Sequence, residues 1–236
     1  AAQVADVVRA CAGAGVPVTP RGAGSGKSGG CVPVDGGVVL QLDRLASITR
    51  IDKADGTCTT EPGVILETLQ QSVEAEGMFY PPDPASLSMC TIGGNVAENA
   101  GGPRALKYGV TGTYVLGLEA VLPTGERVRT GKNTTKGVAG YDLTSLLVGS
   151  EGTLAVITSI TLKLLPNPRH VQTAIAIFPS SEHAVKATSA VLAAGILPRT
   201  LEYMDRDSIE AVRVLNPPYR FPQNAGAALL LETDGE

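Results

Sequence analysis

Residues 20–30 read PRGAGSGKSGG, and the fold turns on what this stretch does after the strand that delivers it. Two phosphate-binding patterns nearly fit. Gly24, Gly26 and Gly29 satisfy GxGxxG, but the dinucleotide fingerprint needs a helix opening on its last glycine, and here CVPVDGG follows, with Pro33 and the Gly36-Gly37 pair. The phosphate-loop pattern needs four residues between its first glycine and Gly-Lys-Ser; Gly22 to Gly26 leaves three. What survives is a strand, Val16 to Thr19, feeding a glycine-dense loop whose consecutive N–H groups can converge on one anion. A diphosphate suits such a nest. Four or five charge-assisted hydrogen bonds at about 1.5–3 kcal/mol each could supply much of the roughly 8 kcal/mol of micromolar binding. The bland alternative is a surface turn.

Working outward, residues 2–13 carry Val4, Val7, Val8 and Cys11 at helical spacing, closed by Gly13 and Gly15. Strands are expected at 38–42, 47–51 and 57–61, a helix at 64–76, and a proline-rich loop over 78–91. A short helix at 94–99, a hairpin of 115–123 and 127–130 around Thr124-Gly125, a short helix at 142–148 and a long strand at 154–165 complete the first part. Pro166 and Pro168 mark a boundary. Beyond it come strand 171–178, helix 181–194, strand 199–203, helix 205–214 and strand 227–233. The expected organisation is a domain over 1–166 and the beginning of another over 167–236, in an α+β class.

Composition narrows the function. The chain has 236 residues, enough for a sizeable core, and its net charge of −4 with scattered basic residues argues against nucleic acid as partner. No apolar run approaches the roughly 18 residues of a membrane span, and residues 1–15 lack signal-peptide features, so a cytoplasmic location is expected, peripheral to a membrane only through a partner. Cys11, Cys31, Cys58 and Cys90 are too dispersed for metal or redox motifs. His170 and His183 alone make a poor ligand set, so no metal site is expected. Glycine is in excess, 28 residues against a typical share of about 7%. It concentrates at 22–30, 93–102 and 149–152, between apolar segments rather than in a linker.

The second glycine stretch, TIGGNVAENAGG at 91–102, follows PPDPAS at 81–86. Gly93 and Gly94 permit close approach of a planar ligand, and Asn95 and Asn99, four apart, place two amides on one helix face or serve as caps. The third stretch is VGSEGTLAVITSITLKLL at 148–165, a turn into a long strand.

Together the three stretches resemble the FAD-linked oxidases with the vanillyl-alcohol oxidase and p-cresol methylhydroxylase (PCMH) type of flavin-binding fold. The branch is that of the flavin-binding glycolate oxidase subunit and the D-lactate and D-2-hydroxyglutarate dehydrogenases. The family's PRGxGTxxSGG is matched by Pro20 to Gly30, with Ser25 in the threonine place. DPxSxxxxTIGGNxxxNAGG is matched by Asp83-Pro84, Ser86, Thr91 to Asn95 and Asn99 to Gly102, and GSEGTLGIIT by 149–158. The resemblance implies a PCMH-type FAD domain of two α+β subdomains and the start of an α+β cap, or substrate, domain. It implies that Arg21, Gly22, Ala23, Gly24, Ser25, Gly26 and Ser28 wrap the FAD diphosphate. Pro82, Asp83, Thr91, Gly94, Asn95, Asn99 and Gly101 would line the ribityl and isoalloxazine, and Glu151, Gly152 and Ile157 would close the adenine side.

Two departures stand out: Ala155 replaces the usual glycine, and Lys27 stands where an apolar residue is common. No histidine lies in the first loop, so FAD is expected to be noncovalent; Cys90, the nearest candidate for a thioether link, reads as a small core residue. The implied reaction is oxidation of a 2-hydroxy acid such as glycolate, D-lactate or D-2-hydroxyglutarate. A quinone, cytochrome, flavoprotein or iron–sulfur subunit would accept the electrons, and homo-oligomerisation is left open. The family's substrate-facing arginine and metal-holding histidine pair are expected after Glu236, so no catalytic residue is assigned here. The rival readings are an NAD-dependent Rossmann dehydrogenase and a non-catalytic flavin-binding subunit.

Overall fold

The computed structural model describes residues 1–132, 134, 136–137, 139–215 and 219–235. The chain divides into two compact units, 1–102 with 110–167 and 103–109 with 168–236.

The first unit opens with helix α1 (Ala2–Ala14), ended by Gly15 in the left-handed conformation. Strand β1 (Val18–Arg21) then runs parallel to β2 (Val38–Gln41). Strands β3 (Ile48–Asp52) and β4 (Thr57–Thr60) form a hairpin, followed by helix α2 (Leu66–Glu74) and a two-residue strand β5 (Met78–Phe79). Helix α3 (Ile92–Glu98) carries the second glycine stretch. After α4 (Ala105–Tyr108), which belongs to the second unit, a 3-10 turn at Thr111–Tyr114 leads into β6 (Val115–Val121) and β7 (Arg127–Gly131). Helix α5 (Leu143–Leu147), β8 (Val156–Lys163) and the short β9 (Leu165–Pro166) complete this unit.

Antiparallel pairing orders the main sheet β3-β4-β8-β6-β7. Strand β8 is interior because its alternate residues Ile160 and Leu162 are fully buried, as are Cys58 and Thr60 on β4 beside it. On α1, Val4, Ala5 and Val8 form one stripe and pack with Leu42, Val121 and Val156. The proline-rich stretch 78–91 is more structured than its composition predicts. Met78 and Phe79 pair with Pro166 and Leu165, and Pro166 accepts that place because a two-strand ribbon leaves its nitrogen without a required partner.

The second unit has strands β10 (His170–Phe178), β11 (Thr200–Asp205) and β12 (Ala227–Gly235), ordered β10-β12-β11 and antiparallel. Helix α6 (Ser181–Ala193) sets Ala184 against Ala227 and Leu229, while α7 (Arg206–Val214) sets Ile209 against Ala228. Residues one apart on β12 thus face different helices. The α+β class expected from the sequence holds.

At the end of β12, the Asp234 carboxylate has no exposed surface. It accepts hydrogen bonds from Lys107 and from the Tyr108 hydroxyl at 2.7 Å, with the Arg199 guanidinium 3.6 Å away. Burial alone raises the Asp234 carboxyl; the hydrogen bonds from Lys107 and Tyr108 and the charges of Lys107 and Arg199 outweigh it and hold the group below its ordinary value of 3.8. Its stabilising contribution is therefore complete above about pH 3.8 and is lost as pH falls through the lower folded value. Asp234→Asn is expected to lower stability at neutral pH and to flatten the loss of stability between about pH 4 and 2. Urea unfolding followed by circular dichroism across that range checks it; an acid limb as steep as that of the unaltered protein would contradict it.

Candidate cofactor site

The glycine loop leaves β1 at Arg21 and forms no helix, which removes the structural condition of the Rossmann fingerprint. Its root is fixed on both sides. Leu42 N–H donates to the Arg21 carbonyl at 2.9 Å, and the Gln41 side chain donates to the Gly22 carbonyl at 2.8 Å. The next turn needs glycine for two different reasons. Gly24 has φ of +72°, a backbone shape that disfavours side chains, and the Arg21 guanidinium folds over the place where a Cβ would lie. At Gly22 the limit is space: a Cβ would sit 2.3 Å from Thr91 Oγ1.

Thr91 is held there because it caps α3, its Oγ1 accepting from Gly94 N–H at 3.3 Å. Gly93 N–H donates to the Pro62 carbonyl at 2.8 Å, and a Cβ at Gly93 would strike the Pro62 ring at 2.5 Å. The third stretch joins the same ensemble. Gly149 and Glu151 N–H groups donate to the Val96 and Ala97 carbonyls at 2.9 and 2.8 Å, and Gly30 packs against Glu151. Glu151 adopts φ of +55° without being glycine, a conformation held by these contacts.

The three stretches thereby enclose one cleft. Among the residues expected from the sequence, Arg21, Gly22, Ala23, Gly24, Ser25, Gly26, Thr91, Gly94, Asn95, Glu151, Gly152 and Ile157 line it. Pro82, Asp83, Asn99 and Gly101 are not among the residues that line it. Asn99 ends α3 in the left-handed conformation and its Oδ1 accepts from Gly112 N–H, so it does not share a helix-face role with Asn95. The Pro82 carbonyl accepts from buried Gln70, and Asp83 lies against Gly102. Ser28 turns to Glu98. Leu42, Pro62, Pro84 and Glu98 also line the cleft, and sequence reading did not single them out as ligand contacts. Only Glu98 carried a signal: it sits three residues after Asn95, on the same helix face.

The cleft suits a long ligand with an anionic middle. Arg21 and Lys27 bring cations to the glycine-loop side, Glu98 and Glu151 bring carboxylates, and Leu42, Pro62, Ala155 and Ile157 supply apolar wall. The Asn95 side-chain nitrogen is buried and has no hydrogen-bond partner among the described residues, although Asn95 lines the cleft. A buried amide donor without a partner is costly unless a ligand accepts from it. Together with the space kept at Gly22 and Gly93, it fits a flavin dinucleotide. Cys90, buried in the same wall, directs its thiol to the Leu87 carbonyl at 3.9 Å. Burial pushes the Cys58 thiol up to about 12, which keeps it protonated and inert. Among the described residues no cluster of three metal-ligating side chains occurs, and no helix is long and apolar enough to cross a membrane.

Comparison with known proteins decides the family. Residues 1–131 match the family model described as FAD binding domain, and residues 167–236 match that of FAD linked oxidases, C-terminal domain. The chain belongs to the FAD-linked oxidases. It is 43% identical over 233 residues to glycolate oxidase subunit GlcD of Bacillus subtilis, covering 99% of this chain and 49% of that one. It is 39% identical over 238 residues to D-lactate dehydrogenase of Anaerostipes hadrus, covering 99% of this chain and 50% of that one. An alkyldihydroxyacetonephosphate synthase structure shares the fold at a TM-score of 0.81 and 23% identity, over 98% of this chain and 45% of that one. The chain spans about half the length of these relatives.

FAD is the cofactor of this family's binding domain. Gly24→Val is expected to weaken FAD binding at least tenfold, about 1.4 kcal/mol, because it adds a β-branched side chain at positive φ and displaces the Arg21 guanidinium. Flavin-fluorescence titration measures this; unchanged affinity with intact secondary structure would put the diphosphate elsewhere.

Proposed function

We propose that the protein carrying this sequence is an FAD-dependent dehydrogenase that oxidises a 2-hydroxy acid, such as glycolate, D-lactate or D-2-hydroxyglutarate, to the 2-oxo acid. The observation that supports it most is the cleft closed by the three glycine stretches, with the buried Asn95 amide lining it. The substrate class rests on the names of relatives that resemble the chain over nearly its whole length.

In this reading, residues 1–166 form the cofactor domain and 167–236 belong to the substrate domain. The loop N–H groups of residues 22–26 and the Arg21 guanidinium bind the diphosphate, and Thr91, by capping α3, fixes the height of that loop over the helix. The Asn95 amide donates to a polar edge of the flavin or its ribityl chain, and Glu151, Gly152 and Ile157 bound the adenine end. Bound FAD supplies a two-electron acceptor, held without a covalent link. Oxidation at C2 also needs a cation for the substrate carboxylate and a base for its hydroxyl proton. We assign neither to residues 1–236. Electrons then pass to a separate acceptor, such as a quinone, a cytochrome, a flavoprotein or an iron–sulfur subunit.

The test is an anaerobic absorption spectrum of the purified protein, with D-lactate, glycolate or D-2-hydroxyglutarate added in turn. Bleaching of the flavin bands by at least one of these acids, without nicotinamide, is expected. A protein whose flavin no hydroxy acid bleaches would be a binding subunit rather than a dehydrogenase.

A further inference from the structure

One contact beside the cleft serves no purpose that the motifs explain. Ser28 Oγ lies 2.8 and 2.7 Å from the two carboxylate oxygens of Glu98, 70 residues away. Ser28 sits near the far end of the glycine loop, and Glu98 is the last residue of α3. The same carboxylate lies close beside the loop at Gly26, where a Cβ would lie 3.2 Å from Glu98 Oε1, closer than side chains ordinarily pack. Among the described residues, the Ser28–Glu98 bond is the one hydrogen bond joining residues 23–28 to another segment. The loop root is held by Gln41 and Leu42, its end packs on Glu151, and the span between hangs on this pair.

The charge of Glu98 argues against a direct role toward the diphosphate. A carboxylate in the cleft wall repels phosphate oxygens and accepts from hydroxyl donors, and the Ser28 hydroxyl is such a donor. Resemblance assigns Ser28 to the diphosphate; its geometry in this chain assigns it to α3. Resting on the FAD reading above, we propose that Ser28 and Glu98 form a clasp that closes the glycine loop over the cofactor and sets the rate at which FAD enters and leaves. The pair acts as a positioning device, touching the loop rather than the reacting atoms.

A clasp that must open for passage in either direction has a kinetic signature. Removing it raises the rates of association and dissociation together and leaves their ratio nearly unchanged. A direct ligand contact behaves differently: its loss speeds dissociation alone and weakens affinity. Ser28 is exposed, so its hydroxyl can be removed without leaving a buried group unpaired.

The experiment measures FAD association by stopped-flow flavin fluorescence and dissociation by displacement, in the unaltered protein and in Ser28→Ala, Ser28→Thr and Glu98→Gln. Ser28→Ala is expected to raise both rates at least threefold with Kd changed less than twofold. Ser28→Thr, which keeps the hydroxyl, restores both rates, and Glu98→Gln, which keeps an acceptor oxygen but loses the charge, falls between. Faster dissociation at unchanged association, with weaker Kd, would make Ser28 a cofactor ligand and overturn the clasp. Unchanged rates in Ser28→Ala would overturn it as well. An unaltered protein that binds no FAD would overturn the cofactor reading, and the clasp with it.

Discussion

The cleft depends on backbone approaching side chain more closely than any Cβ allows. Thr91 Oγ1 stands 2.3 Å from the position a Cβ would take at Gly22, and the Pro62 ring stands 2.5 Å from the corresponding position at Gly93. These two contacts bring the strand-borne loop, the turn after β4 and the start of α3 to one place. A methyl group at either glycine would force one of them outward, and the Thr91 hydroxyl would have to give up either its cap or its position. Glycine at these two positions thus allows proximity, and the cleft follows from it.

The second unit solves a different problem. Strand β12 is the centre of its three-stranded sheet, and its apolar residues alternate between two helices until Glu232 and Asp234. There the burial continues but the chemistry changes. Asp234 is compensated by Lys107, Tyr108 and Arg199, and Glu232 accepts from Thr173 and Thr200 at 3.2 and 3.3 Å, with Arg199 Nε 3.8 Å away. Lys107 and Tyr108 come from residues 103–109, an excursion between two parts of the first unit's chain. A buried carboxylate of this kind is tolerated because several partners converge on it; losing Lys107 or Arg199 removes compensating charge, and losing Tyr108 removes a hydrogen bond.

Much of this was legible in the sequence because it rests on local rules. Apolar periodicity located α1, the helices expected at 64–76, 181–194 and 205–214 match α2, α6 and α7 to within a few residues, and Thr124-Gly125 marked the β6–β7 turn. The long strand before Pro166 and the glycine loop without a following helix were likewise readable from residues alone. Tertiary contacts were not. Helix α4 is four residues long and has too little pattern to announce itself. The β5–β9 ribbon pairs a proline-rich stretch with a proline. In the site, the motif match named the loops but not which side chains turn inward. Asn95 and Asn99 look equivalent at spacing four, yet a left-handed residue at the end of α3 sends Asn99 to Gly112 and leaves Asn95 in the cleft wall. Glu98 shares the Asn95 face of α3, but a carboxylate is not an expected neighbour for a phosphate loop, and the resemblance implies a diphosphate role for its partner Ser28.

We propose that the glycine loop cradles the diphosphate of a dinucleotide. The most direct measurement is equilibrium titration of flavin-stripped protein with FAD and with FMN, and of the FAD complex with ADP as competitor. If four or five charge-assisted hydrogen bonds at about 1.5–3 kcal/mol each act on the diphosphate, FAD binds at least a hundredfold more tightly than FMN, and ADP displaces it. Equal affinity for FAD and FMN, with no competition by ADP, would mean that the loop holds no diphosphate.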